Sequence, residues 1–173
     1  MSSLLLKKIE EGMSMVHSME HKIWAGTIFT LYYFLLEHQL NIFQIPFWPA
    51  FFMAILGAHF PDFDLDFGVR YHRSPITHSA LIPTIIFLYY LYFRPEDLVF
   101  ILLSVFFLGY SSHLILDIFP SKASLLKRIS SIFKNYVPGN VKGIPKRYEK
   151  KFLVVSGIIC FLYASVYLIL VRI

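Results

Sequence analysis

The chain has little charge and almost no cysteine. Only 16% of its 173 residues are Asp, Glu, Lys or Arg, where a water-soluble domain carries about a quarter. Too few charges are present to coat a soluble globule. Cys160 is the single cysteine and lies inside a long apolar run. That excludes a disulfide framework, a CxxC redox pair and a cysteine zinc knuckle. Any bound metal must use nitrogen and oxygen ligands. Residues 1–22 carry Lys7, Lys8, Glu10 and Glu11 and lack a small-residue cleavage site, so no cleavable signal is expected.

Hydrophobic residues make up 57% of the chain and aromatics 18%, and the mean hydropathy is +0.61. Five apolar runs stand out, at residues 23–36, 45–59, 79–93, 98–116 and 152–171. The last two are long enough for the hydrocarbon core of a bilayer. The first is short and is expected to be tilted or sheltered by its neighbours. Pro46 and Pro49 fall near the start of the second run, where a first helical turn accepts proline. Pro83 is expected to kink the third. The fold class expected is all-α: one integral membrane helical bundle of about five spans over residues 1–173.

With five crossings, residues 1–22, 60–78 and 119–151 share one side. These hold Lys7, Lys8, Lys22, Arg70, Arg73, Lys122, Lys127, Arg128, Lys134, Lys142, Lys146, Arg147, Lys150 and Lys151, which is 14 of the 16 basic residues; Arg94 and Arg172 remain opposite. The positive-inside rule makes the crowded side the cytoplasm, or its equivalent in an organelle, and the membrane expected is the cell's inner (plasma) membrane. The net charge of +5 is thereby a matter of topology, and no nucleic-acid partner is expected. In the basic loop 119–151, Leu125, Leu126, Ile129, Ile132 and Phe133 recur at helical spacing beside Lys127, Arg128 and Lys134. This pattern suits an amphipathic helix lying in the interface, or one packed on the protein's own cytoplasmic surface. Residues 1–22 carry a weaker version as an N-terminal interfacial segment. After Tyr136 the Pro and Gly content predicts a loop.

The scarce polar residues cluster at the span boundaries of that same side. Asp62, Asp64 and Asp66 follow the second run; His72, Arg73, Thr77 and His78 precede the third; His113 and Asp117 end the fourth; His21 precedes the first. The opposite boundaries lack this alternation of His and Asp. His113 and Asp117, at i and i+4, share one helix face and can grip one ion. Crowded carboxylates near a membrane need a cation or protons to neutralise them. Mixed imidazole and carboxylate donors suit Zn, Mn or Fe better than Ca or Mg. Six to eight candidate ligands allow one or two ions, and a two-metal centre clamps both oxygens of a phosphoester displacement. Arg73 is a natural fork for a phosphate. Taken singly, each element has a plain structural alternative: an Asp that orients a His, an Asp62 cap, or an Arg73 paired with Asp64 or Asp66. His17, His38 and His59 are expected to lie outside the cluster.

At these residues the chain resembles the inner-membrane metal-dependent hydrolases of the YdjM type. His21, Pro61-Asp62-Phe63-Asp64, His72-Arg73 with Thr77-His78-Ser79, and Gly109-Tyr110-Ser111-Ser112-His113 with Asp117 match that pattern in order over about the first 120 residues. Leu65 stands where many relatives place a His, and Ser74 where a glycine is common after HR. The group is similar in turn to the zinc-dependent phospholipase C and single-strand nuclease superfamily, which implies phosphoester chemistry. The function expected is a membrane-embedded, metal-dependent hydrolase of a phospholipid or lipid-linked phosphate. His21, Asp62, Asp64, His72, His78, His113 and Asp117 are its expected metal ligands. Asp62 or Asp64 is expected to act as the base for a metal-activated water, and Arg73 to hold the substrate anion. The alternative is a membrane protein that binds metal without turnover, a divalent-cation transporter or sensor.

Overall fold

A computed structural model of the chain describes residues 19, 21–34, 47–67, 73–93, 97–118, 141 and 143–170, apart from the side chains of 65–67, 97 and 167–170. Among the described residues all regular secondary structure is helical, without strands. Helix α1 covers 21–34; α2 is Phe47–His59 and continues into a 3-10 helix, Phe60–Phe67; α3 is Leu81–Phe93, α4 Asp97–Leu116 and α5 Lys146–Leu170.

α4 is the central helix, with α2 packed on one side and α5 on the other. Along α2 the buried residues are Ala50, Ala54, Gly57 and Ala58, a stripe of small side chains. Such stripes let two helix backbones approach closely where no hydrophobic effect separates protein from lipid. A methyl group added at Gly57 would lie 2.0 Å from the Phe106 carbonyl oxygen, and one at Gly109 would lie 1.9 Å from that of Ala54. The α2–α4 seam therefore runs backbone against backbone. On the α5 side, Ser104 Oγ donates to Ala164 O (2.7 Å) and Ser111 Oγ to Gly157 O (2.8 Å). These contacts are seven residues apart on each helix and fix an antiparallel register. α1 joins through Phe29, whose ring meets Phe47 and Phe51. α3 joins α5 through Phe87 stacked on Tyr163 and through the Thr84–Tyr163 hydroxyl contact.

Polarity runs opposite to that of a soluble protein. Trp48, Phe52, Ile85, Leu88, Phe161 and Tyr92 (82% exposed) face outward, while His21, Asp62, His78, His113, Asp117 and Glu149 are buried. Large exposed apolar surface of this kind marks contact with lipid or with another protein. Among the described residues, Leu98–Leu116, with mean hydropathy 2.1, is the one helix long and apolar enough to cross a bilayer.

Two sequence expectations change. α5 begins at Lys146, so residues 146–151 are helical rather than loop; Pro145 sets the start, its carbonyl accepting the Tyr148 amide (2.8 Å). α3 begins at Leu81, two residues later than expected, and Ser79 Oγ accepts the Leu81 amide at 3.1 Å. Pro83 thus sits in a first turn, where its missing N–H is not needed, and no kink is required. The helix expected within 119–140 and most of the N-terminal segment lie outside the described residues.

Candidate metal centre

The start of α1, the 3-10 helix after α2, the turn before α3 and the end of α4 come together at one end of the bundle. Asp117, 2% exposed, is the hub. His21 Nε2 stands 3.5 Å from its Oδ1, and His78 Nε2 and His113 Nε2 stand 3.4 and 3.6 Å from its Oδ2. Asp62 Oδ1 lies 3.7 Å from His113 Nε2. The rings of His21 and His113 stack at 4.0 Å, and His78 meets His113 edge-on at 5.5 Å.

These separations exceed an ordinary N–H···O hydrogen bond. They lie close to the roughly 3.3 Å edge of a tetrahedron of N and O ligands drawn at about 2.05 Å around zinc. Two overlapping sets, His21–His113–Asp117 and Asp62–His78–His113, each bring their donor atoms within 4.8 Å of one another, all buried. The buried His/Asp groups can hold a metal ion.

Tautomers agree with that fit. His113 Nδ1 lies 2.7 Å from Ala58 O, a carbonyl that can only accept, so the proton sits on Nδ1. Nε2, which is buried without a hydrogen-bond partner, then faces the carboxylates. The Ala58 carbonyl is delivered by the close α2–α4 seam. On His78, Nδ1 lies 3.5 Å from Asp64 Oδ2 and 3.1 Å from Thr77 Oγ1. Asp64 Oδ2 also accepts from Thr77 Oγ1 (2.7 Å) and from the Ser74 amide (3.0 Å). Outer partners of this kind orient metal-binding histidines. Burial holds the His78 imidazole below its ordinary pKa, against the opposing pull of Asp64 and Asp117, which keeps it neutral and able to ligate near pH 7. Tyr110 donates its hydroxyl to Thr77 O and anchors this turn on α4.

Of the residues expected from sequence, His21, Asp62, Asp64, Arg73, His78, His113 and Asp117 are brought together. Asp64 stands behind His78 and belongs to neither donor set. Arg73 Nη2 contacts Asp117 Oδ1 at 3.2 Å, from a left-handed backbone (φ 60°) that costs a non-glycine residue about 1–2 kcal/mol. His72, His17, His38 and the Asp66 side chain lie outside the described residues, and His59, the last residue of α2, belongs to neither donor set. Sequence reasoning missed Glu149. It is fully buried in the first turn of α5 and accepts the Val141 amide. Its signal was one acid inside the basic run 146–151, directly after a proline.

No curated protein and no solved structure matches the chain significantly. Residues 15–171 match the family profile described as YdjM inner membrane protein. That match covers nearly the whole chain, which belongs to the YdjM inner membrane protein family.

Proposed function

We propose that the protein is a membrane-embedded, metal-dependent hydrolase that cleaves a phosphoester in a phospholipid or lipid-linked phosphate at the cytoplasmic boundary of the inner membrane. The observation that carries this reading is the buried constellation around Asp117, built of imidazole and carboxylate donors at metal-ligand spacing inside an apolar exterior. In this reading α1 to α5 are five spans, and the distribution of Lys and Arg supports a cytoplasmic N-terminus and basic loop. The boundary position of the cluster favours a substrate whose reactive group lies among headgroups.

His21, Asp62, His78, His113 and Asp117 would hold one or two divalent ions, with zinc favoured by the donor set and manganese or iron as alternatives. A bound ion supplies Lewis acidity and brings the pKa of a water near neutrality. The rest is done by this chain's residues. Thr77 and Asp64 hold His78 in its tautomer, and the Ala58 carbonyl does the same for His113. Asp64 Oδ2 is committed to Thr77, Ser74 and His78, so the proton-accepting role falls to Asp62. Arg73 holds the substrate's phosphoryl oxygens. The similarity to the zinc phospholipase C and nuclease superfamily belongs to this proposal and supports its reaction class.

The test is elemental analysis of the purified protein together with phosphate release from phospholipid and lipid-phosphate vesicles. Stoichiometric metal and metal-dependent release, both lost in Asp117→Ala, are expected. Metal uptake into vesicles without phosphate release would reassign the protein as a transporter.

A further inference from the structure

A groove of about 510 Å³ lies between α1 and α2, within the range of about 300–1,000 Å³ usual for ligand sites. One wall runs along α1 from Lys22 to Leu31, and Phe51 and Ile55 of α2 form the other. The walls meet at Gly26, where an added methyl group would lie 3.1 Å from the Phe51 ring. Both threonines of the α1 wall keep their hydroxyls on their own helix: Thr27 Oγ1 donates to Ile23 O (2.9 Å) and Thr30 Oγ1 to Gly26 O (2.7 Å). Neither therefore needs a polar partner in the groove. Among the described residues, Lys22 supplies the one charge in the lining, and no carboxylate forms an ion pair with it.

A slot with a cation at one end and apolar walls along the rest fits an amphiphile with an anionic head and a hydrocarbon tail. Length agrees with that occupant. From Lys22 to Leu31 the helix rises about 13 Å, close to half of a roughly 30 Å hydrocarbon core, the depth that one acyl chain of one leaflet spans. Direction agrees as well, because Lys22 follows His21 at the end of the bundle that carries the His/Asp cluster, and in the membrane-embedded reading that end lies among headgroups. The rim is apolar, with Ile23 and Leu31 exposed. A second copy of the chain fits less well. The acids whose side chains are described, Asp62, Asp64, Asp117 and Glu149, are all buried, so none is available on a neighbour to meet Lys22.

We infer that the α1–α2 groove binds one anionic phospholipid, its acyl chain lying along Gly26, Thr27 and Thr30 and its phosphate on the Lys22 ammonium. The inference rests on α1 and α2 lying in the membrane and not on the hydrolase reading.

The experiment is native mass spectrometry of the full chain released from micelles that contain equal amounts of phosphatidylglycerol and phosphatidylcholine with identical chains. Chelator is present throughout, so that no metal-held lipid is counted. The wild type is expected to retain one phosphatidylglycerol per chain, preferred about fivefold over phosphatidylcholine, the size of one Lys beside an anionic headgroup. Lys22→Gln should retain both lipids alike. Thr27→Trp, whose indole fills the groove from its rim, should retain neither. A preference unchanged in Lys22→Gln overturns the inference, and so does lipid retained by Thr27→Trp. If Thr27→Trp does not fold, the Lys22→Gln comparison decides alone. A wild type that flies as two chains without lipid assigns the groove to a second copy and overturns the inference. A wild type that needs detergent yet carries no lipid overturns it too, and one that stays in solution without detergent and carries no lipid overturns the membrane reading of α1 and α2 along with it.

Discussion

α4 meets its two neighbours by opposite means. Against α2 the contact is made by what side chains leave out: Gly57 and Gly109 let the carbonyl oxygens of Phe106 and Ala54 sit where a methyl group has no room. Against α5 it is made by what side chains reach for, the Ser104 and Ser111 hydroxyls donating to carbonyls across the seam. The first seam runs to the His/Asp cluster and ends there at the Ala58–His113 contact. A seam without side chains has no slack, because nothing at its centre can change rotamer. A hydroxyl that loses its partner can turn back to its own helix. The glycine seam therefore sets the geometry of the ligands, and the serine seam mainly keeps α5 against the bundle.

The largest expected effect comes from breaking the glycine seam. In Gly109→Ala the new Cβ would lie 1.9 Å from Ala54 O, a backbone atom that can move only with its helix. The expected cost is about 3 kcal/mol, the upper part of the range for overpacking, seen as a lower unfolding midpoint in detergent. Bound metal should fall in the same sample, since separating α2 from α4 withdraws the Ala58 carbonyl from His113. A variant with wild-type stability and metal would show that this seam does not govern the site.

Removing a ligand should separate site from seam. His113→Ala or Asp117→Ala is expected to weaken metal binding more than about 100-fold, beyond the effect typical of outer partners, while both seams and the helical content persist. Chelation should then lower the melting temperature of the wild type, whose folded state alone gathers the donors. It should leave Asp117→Ala unmoved, and an equal shift in both would detach the metal from Asp117.

A smaller effect is expected one contact further out. Thr77→Val keeps the volume but removes the hydroxyl that serves Asp64 and His78. Metal affinity should drop about tenfold, the lower end for an outer partner, with the unfolding midpoint changed far less than in Gly109→Ala.

The cluster was legible in the sequence because ionisable residues are scarce in so apolar a chain, and because boundary parity puts His21, Asp62, His78 and His113 at one end. The i, i+4 spacing of His113 and Asp117 was sufficient to pair them. The division of labour between Asp62 and Asp64 was not legible. At about three residues per turn, positions two apart in the 3-10 helix diverge by a third of a turn, so one carboxylate meets His113 and the other His78, and spacing alone does not name which. The Ala58 carbonyl was invisible because every residue carries one and only packing selects it. Glu149 was hidden by the reading of 146–151 as loop, which left a buried first turn of α5 among solvated charges. The five apolar runs were located within one or two residues at their starts except the last, whose helix begins at Lys146 directly after Pro145; there and at Pro83, inside the first turn of α3, proline marks a helix beginning as readily as a break.

The smallest expected effect tests the serine seam itself. Ser111→Ala removes the 2.8 Å bond to Gly157 O, and that carbonyl still accepts a bond within α5. Interhelical hydrogen bonds of this kind in membrane bundles average about 0.6 kcal/mol, so the unfolding midpoint should shift slightly. Metal content should not change, although Ser111 lies only two residues from His113, because the imidazole takes its orientation from α2 and not from α5. Gly109 lies farther from the ligands along the chain, four residues before His113, and should nonetheless behave in the opposite way. Measured side by side, the pair asks whether distance from the site or the kind of seam decides the outcome. A Ser111→Ala protein that loses metal as Gly109→Ala does would mean that α5 helps to set the ligand geometry, and the contrast between the two seams would fail.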